Sequence, residues 1–360
     1  MTNPTRRLHD LGQSIWLDNI TREILQNRTL QRYIEELSVT GLTSNPTIYD
    51  HAIGSGDWYD DAIHEGAGAG LSSEEVFFRL AGEDLSRAAD LLRPVHQATN
   101  HLDGWVSLEV SPLLAHDTKR TCEQVMTLHR QIERPNVFIK IPGTPEGLPA
   151  IEEAIFSGIP INVTLLFSRE QYLAAAAAYQ RGIERRIKKG LDPDVVSVAS
   201  VFISRWDKAV QDKVPAELRN RLGIAIAGRT YKAYRELLDS PRSQSLASGG
   251  ARHQRLLWAS TGTKDPRASD VLYVEALAAP DTINTMPDAT LLALADHGRI
   301  DKVMSEDGGD AEAVIAEFER VGVDVMALAE QLQREGAEAF VKSWNALLER
   351  IAAKSEVLAS

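Results

Sequence analysis

Asn136-Val-Phe-Ile-Lys-Ile-Pro142 is the stretch whose reading decides the fold. It has the length and apolar content of a short buried strand. Val137, Ile139 and Ile141 take one face at period two, and Phe138 and Lys140 take the other. A lysine inside so apolar a run is anomalous. Burying its cation unpaired is costly, so a buried lysine tends to titrate lower and become a neutral amine. A neutral amine attacks carbonyls and forms Schiff bases. The alternative is a buried stem whose charged head reaches water or an acid.

Outward from this strand, further strand candidates alternate with helices. Before it stand Ser14–Asp18, Gly41–Pro46 and Trp105–Ser111; after it stand Pro160–Phe167, Val195–Phe202, Leu222–Ala227 and Arg255–Thr261. Ser72 with Glu75 and Ser168 with Gln171 have capping-box spacing and open two of the intervening helices. His51–Gly70 reads as a polar, glycine-containing excursion, Ser240–Gly250 as a mobile Ser/Gly-rich loop, and Gly262–Ile300 as irregular with short helices. Asp310–Leu358 reads as amphipathic helices. Eight strand–helix alternations fit an α/β fold of the (β/α)₈ barrel type. The expectation is one domain over residues 1–360, with the barrel at about 12–262 and a helical extension at about 263–360 packed on it. An open doubly wound sheet is the alternative, but no Gly-x-Gly-x-x-Gly follows the first strand.

The chain has 360 residues, 43% of them hydrophobic and 25% charged, which is ordinary for a folded soluble protein. Its net charge of −12 argues against nucleic acid or an anionic membrane as partner, so an anionic ligand needs a local basic site. The single cysteine, Cys122, allows no intrachain disulfide and suggests a reducing compartment, the cytoplasm. Met1–Asp10 has no apolar core of signal-peptide length, and no apolar run reaches the roughly 18 residues of a membrane span.

Strand parity then places polar residues together. Asp18 shares a face with Ser14 and Trp16, Thr43 with Asn45, Glu109 with Ser107, Lys140 with Phe138, and Asn162 with Thr164. Ser200 stands with Val196 and Val198, and Ser260 with Trp258. Each lies late in its strand, and in a barrel the C-terminal strand ends form the active-site rim. The seventh candidate, ending Ile224–Ala227, contributes none. Taken singly, each has a plainer explanation. Asp18 could cap the next helix and Asn45 could be a turn residue. Glu109 could be a counter-ion for Lys140, Thr164 a strand former, and Ser200 and Ser260 ordinary packing. Those explanations do not account for the same placement on strand after strand. The histidines lack metal-site spacing, and no P-loop or nucleophile elbow is present, so no metal or cofactor is expected.

Thr43-Ser-Asn-Pro46, Ser107-Leu-Glu-Val-Ser-Pro112, Phe138-Ile-Lys-Ile-Pro-Gly-Thr-Pro-Glu-Gly147 and Ile161-Asn-Val-Thr-Leu-Leu-Phe-Ser168 resemble the signatures of the transaldolase family, in its longer bacterial branch. Ser200-Val-Phe-Ile-Ser-Arg205 and Trp258-Ala-Ser-Thr-Gly-Thr-Lys264 do so less specifically. The resemblance implies a cofactor-free class I aldolase barrel of the pentose phosphate pathway, with Lys140 as the Schiff-base lysine. It would move a dihydroxyacetone unit from sedoheptulose 7-phosphate to glyceraldehyde 3-phosphate, giving fructose 6-phosphate and erythrose 4-phosphate. Glu109, through a water held with Thr164, would transfer protons, and Asp18 would be the base for carbon–carbon cleavage. Asn45 and Asn162 would bond the substrate hydroxyls, supported by Thr43 and Ser200. Arg205 and Ser260 would hold the phosphate. Shorter members carry Ala-Ser-Phe-Arg after the last strand; here the arginine is absent, and Lys264 is the candidate replacement. Related aldolases that release free dihydroxyacetone are shorter and often place a tyrosine where Glu109 stands. A non-catalytic sugar-phosphate-binding barrel would keep Arg205 and Ser260 without needing Lys140, Glu109 and Asp18 together. The expected partners are small sugar phosphates, and the oligomeric state stays open between monomer and homodimer.

Overall fold

Short runs that are apolar on both faces need cover on both sides. Parallel neighbours also need a crossover long enough for a helix. The computed structural model, which describes residues 3–358, meets both needs by closing eight parallel strands into a barrel in sequence order. They are β1 (Gln13–Asp18), β2 (Val39–Thr43), β3 (Trp105–Glu109), β4 (Val137–Pro142), β5 (Ile161–Leu166), β6 (Ser197–Phe202), β7 (Arg255–Ala259) and β8 (Thr282–Met286). The decisive lysine strand is β4, held between β3 and β5 with Glu109 opposite Lys140 and Lys140 opposite Asn162.

Parity divides the core in two. Ile139, Ile141, Val163, Val201 and Trp258 face outward into the helical layer, while Trp16, Trp105, Phe138, Val198, Leu257 and Ile283 fill the barrel. Phe138 stacks on Trp105 at 4.3 Å between centroids and lies 6.1 Å from Trp16. This aromatic plug floors the site above it. It also fixes one residue of β2: a Cβ at Gly41 would come within 2.5 Å of the Trp16 indole. Both expected capping boxes form, at Ser72/Glu75 and Ser168/Gln171.

Two strands differ from the sequence reading. Leu222–Ala227 is not a strand but the start of the helix Leu222–Leu238. Its alternating bulk resembles a strand, yet Leu222, Ile226, Thr230 and Tyr234 continue at a four-residue interval and are all buried. The cap is not local either. Asp207, from the preceding helix Ser204–Val210, accepts from the Leu222 and Gly223 backbone N–H groups at 2.9 and 3.1 Å and from the Tyr273 hydroxyl at 2.9 Å. Arg255–Ala259 is therefore β7 and not the closing strand. The barrel ends at Thr282–Met286, inside the segment read as irregular and beyond the boundary set at 262. Other corrections are smaller. His51–Gly70 holds the end of one helix, Pro46–Gly54, and all of another, Asp60–Gly68. The expected loop at 240–250 is a helix, Pro241–Ser248, opened by Ser240.

Asp207 is 2% exposed, and burial raises its carboxyl from the ordinary 3.8 to about 6. A raised folded value means that its contribution to stability is fully present below pH 3.8 and is lost as pH rises through about 6. Even so, truncation is worse than ionisation, because it strands three buried donors at roughly 1–3 kcal/mol each. Asp207→Ala is expected to lower unfolding free energy by about 3 kcal/mol or more, read from denaturant midpoints, with the site chemistry intact in the folded fraction. An unchanged midpoint would mean that Asp207 does not hold this helix start.

The Val325–Leu358 helix runs across the C-terminal end of the barrel. Gln333 donates to the Gly143 and Leu165 carbonyls at 3.1 and 2.9 Å, Thr47 to Ser343 at 2.8 Å, and Arg350 to Asp50 at 2.7 Å. Trp344 packs edge-on to Phe77 at 5.0 Å. Among the described residues no helix is long and apolar enough to cross a membrane.

Candidate active site

Inward-facing positions at the strand ends converge on a cavity of about 120 Å³ at the C-terminal mouth. Asp18, Thr43, Asn45, Lys140, Thr164 and Ser200 line it from β1, β2 and the turn after it, β4, β5 and β6, and Arg205, Ser260 and Lys264 line it from the following loops and helix. Glu109 and Asn162 lie beside Lys140 on the two flanking strands. All eleven residues singled out in the sequence are thus brought to one place. Above it opens an outer mouth of about 580 Å³ that shares Asp18, Asn45, Arg205, Lys264, Pro287 and Phe340 with the inner cavity. A larger groove, about 920 Å³, lies outside among the helices, and most of its charged groups are engaged with one another or with neighbours. Arg79 pairs with Glu65 and Glu83, Arg134 pairs with Asp90, and Glu75 caps a helix. Its lining holds no lysine, cysteine or histidine.

Lys140 is 5% exposed. Its Nζ donates to the Ser44 carbonyl at 3.0 Å and lies 3.4 Å from Glu109 Oε2. The Glu109 contact is an ion pair without an aligned hydrogen bond: neither carboxylate oxygen has a hydrogen-bond partner among the described residues, nor has Thr164 Oγ1. Burial pushes the Glu109 carboxyl up, against the pull of Lys140, and Asp18 adds to the rise. Asn162 is fully buried, accepts from Ser200 Oγ at 2.7 Å and donates to Ser107 Oγ at 3.1 Å. That chain aims a rigid amide beside the lysine.

Asp18 closes β1. It does not cap the next helix, whose N-cap Thr21 makes no side-chain bond. Its Oδ1 accepts from Thr43 Oγ1 at 2.7 Å. Burial raises its carboxyl; Lys140, the Thr43 bond and Lys264 act in the opposite direction. Asn45 does have the plainer role as well, because its side chain caps the Pro46–Gly54 helix at Ile48 N, 3.2 Å.

Ser260 reaches the cavity by a different route from the one parity suggested. Trp258 faces outward, and Ser260, beyond the end of β7, adopts a left-handed φ of 55° that turns it inward to Ser204 Oγ at 2.9 Å. Left-handed backbone is uncommon for a non-glycine residue and marks a functional position often enough to be informative. Lys264 follows β7, not the last strand, and is exposed. Arg205 is half-buried, with no carboxylate within ion-pair distance among the described residues; its guanidinium sits 5.1 Å over Phe202 and 5.7 Å over Phe340, and burial lowers its pKa. A partly desolvated, unpaired guanidinium is an anion receptor.

The sequence reading missed three contributors. Ser44 acts through its main-chain carbonyl, which no side-chain pattern reports. Phe340 comes from the C-terminal helix, where it looked like core. Thr285 sits on the unrecognised β8, and its hydroxyl is 2.6 Å from that of Thr43. Among the described residues, no group of three or more His, Cys, Asp or Glu side chains is arranged to hold a metal ion.

The arrangement joins a buried amine, two carboxylates with raised pKa values and an anion receptor, which suits imine chemistry on a phosphorylated carbonyl compound. Known proteins point the same way. The family described as Transaldolase/Fructose-6-phosphate aldolase matches residues 15–351. A transaldolase of Thermobifida fusca is 46% identical over 98% of both chains, and one of Parafrankia sp. is 43% identical over 98% of both. Transaldolase 2 of Nostoc sp. is 40% identical over 99% of this chain and 98% of its own. The chain belongs, over nearly its whole length, to the transaldolase/fructose-6-phosphate aldolase family.

Proposed function

We propose that this protein is a transaldolase, a transferase that carries a dihydroxyacetone unit from sedoheptulose 7-phosphate to glyceraldehyde 3-phosphate through an imine on Lys140. The observation that carries the reading is Lys140 Nζ held between the Ser44 carbonyl and Glu109 at the floor of the cavity, with Asp18 on the same mouth. Lys140 attacks the ketose carbonyl, and the carbinolamine must lose water. Glu109, protonated more readily because it is buried, gives the departing hydroxyl its proton through a water that Thr164 helps to hold. The iminium then takes the electron pair of the breaking carbon–carbon bond while Asp18 removes the proton of the neighbouring hydroxyl. The bound three-carbon unit is kept by Asn45 and Asn162, supported by Thr43 and Ser200. Attack on the acceptor aldehyde reverses these steps, and hydrolysis frees Lys140. In this reading the enzyme serves the pentose phosphate pathway in the cytoplasm, a setting that suits a chain with one cysteine.

A coupled assay tests this. Sedoheptulose 7-phosphate with glyceraldehyde 3-phosphate should give fructose 6-phosphate and erythrose 4-phosphate, with little free dihydroxyacetone when the acceptor is omitted. Multiple turnovers to free dihydroxyacetone without acceptor would make the protein a lyase instead.

Arg205, with Ser260 and Lys264, takes the phosphate at the rim. A charge-assisted hydrogen bond is worth about 1.5–3 kcal/mol. Arg205→Ala should therefore raise KM for phosphorylated substrates by roughly 10–100-fold with kcat little changed. Lys264 is solvent-screened, so Lys264→Ala should raise KM less, by about 3–10-fold. Unphosphorylated glyceraldehyde as acceptor should be unaffected by either. Equal losses with both kinds of acceptor would point to folding and not to phosphate binding.

A further inference from the structure

Thr43 and Thr285 stand on the two strands that flank β1, opposite Asp18 and Trp16 respectively. Strands two apart are separated by roughly 10 Å, yet the two hydroxyls meet at 2.6 Å in the barrel interior, over the floor made by Trp16. Both residues are at most 3% exposed. Their protons can be assigned by count. A hydroxyl has one proton to give, and an ionised carboxylate only accepts. Thr43 Oγ1 donates to Asp18 Oδ1 at 2.7 Å, so its proton is committed. The 2.6 Å contact then requires Thr285 to be the donor. The Thr261 hydroxyl, its one proton shared between Asn284 Oδ1 and the Thr285 carbonyl, does not compete.

We propose that Thr285 is a positioning residue for Asp18: by donating to Thr43 it commits the Thr43 proton to Asp18 Oδ1 and leaves Oδ2 as the atom that takes the substrate proton. The inference rests on the reading of Asp18 as the base. Without the Thr285 proton, Thr43 Oγ1 loses its donor, its own rotor is released, and the polarisation along the chain is lost. Other charges acting on Asp18 are Lys140 on β4, Lys264 after β7, Asp288 after β8 and Glu109 on β3, and none is altered by a change at position 285.

The test compares Thr285→Val, which keeps the shape, with Thr285→Ser, which keeps the hydroxyl. Thr285→Val should lower kcat by about five- to tenfold, the effect of one net hydrogen bond, with KM nearly unchanged. The acid limb of its kcat profile should move to higher pH, because the ionised carboxylate has lost support. Thr285→Ser should recover kcat and the limb to within about twofold of wild type. In an Asp18→Asn background, Thr285→Val should cost nothing more. Borohydride trapping of the donor on Lys140 should persist in every variant. A full kcat and an unmoved limb in Thr285→Val would overturn the proposal, as would equal losses in Val and Ser, or an undiminished effect in the Asp18→Asn background. Failure of trapping in the wild type would instead overturn the imine reading itself, so the two failures are distinct.

Discussion

Lys140→Ala is expected to abolish turnover, by roughly 10⁴-fold or more, as removal of a covalent nucleophile does in other enzymes. Borohydride added to the wild type with a ketose phosphate should fix a three-carbon unit on the peptide containing Lys140 and on no other. The variant should take up none. Loss of fold is the competing cause of inactivity, and the structure says how large it can be. Lys140 pairs with Glu109, whose carboxyl burial already pushes up. Removing the cation raises it further, so Glu109 answers by taking a proton instead of standing as an unpaired buried charge. Lys140→Met, which also fills the vacated volume, should therefore melt close to wild type and still be inactive. Label on another peptide, or full activity in Lys140→Ala, would rule out Lys140 as the imine-forming residue.

The site was legible before the strands were. A barrel strand alternates with period two, so Asp18, Thr43, Glu109, Lys140, Asn162 and Ser200 could be assigned to one face without knowing how the strands pair. The same rule failed where the chain leaves regular geometry. Ser260 turns inward by a left-handed φ that parity cannot see. β8, Thr282-Ile-Asn-Thr-Met286, is half polar because Asn284 is bonded to Thr261 and Thr285 faces the site; an apolar-run search passes over it. The displaced strand at Leu222–Ala227 came from the other side of the same weakness. Its helix start is capped from fifteen residues upstream by Asp207, so no local N-cap signal marks it. By contrast, Ser240 followed by Pro241 did mark the helix that was read as a loop: the serine caps Ser243 N, and proline stands at the first helical position. What lay outside the sequence's reach was contact made by main chain or by remote segments, namely the Ser44 carbonyl at Lys140 and Phe340 over Arg205.

Asp18→Asn should separate substrate capture from bond cleavage. The amide keeps the size and can still accept the Thr43 proton at Oδ1, but it cannot remove a proton from a substrate hydroxyl. Trapping of the donor on Lys140 should survive while turnover falls by roughly 10²–10⁴-fold. The pH profile carries a second signature. Burial raises the Asp18 carboxyl above its ordinary 3.8, and the base works ionised, so wild-type kcat should fall as pH drops through a value above 3.8. For stability the sign is opposite. A raised folded pKa means that the group's stabilising contribution is fully present below the unfolded value and is lost as pH rises through the folded one. At neutral pH the ionised Asp18 therefore weighs against the fold, and Asp18→Asn should melt at or above the wild-type temperature. An inactive variant that is as stable as the parent or more so is what a carboxylate held for chemistry predicts. Normal turnover in Asp18→Asn would move the base elsewhere, and Glu109, 3.4 Å from the Lys140 amine, would be the next carboxylate to test.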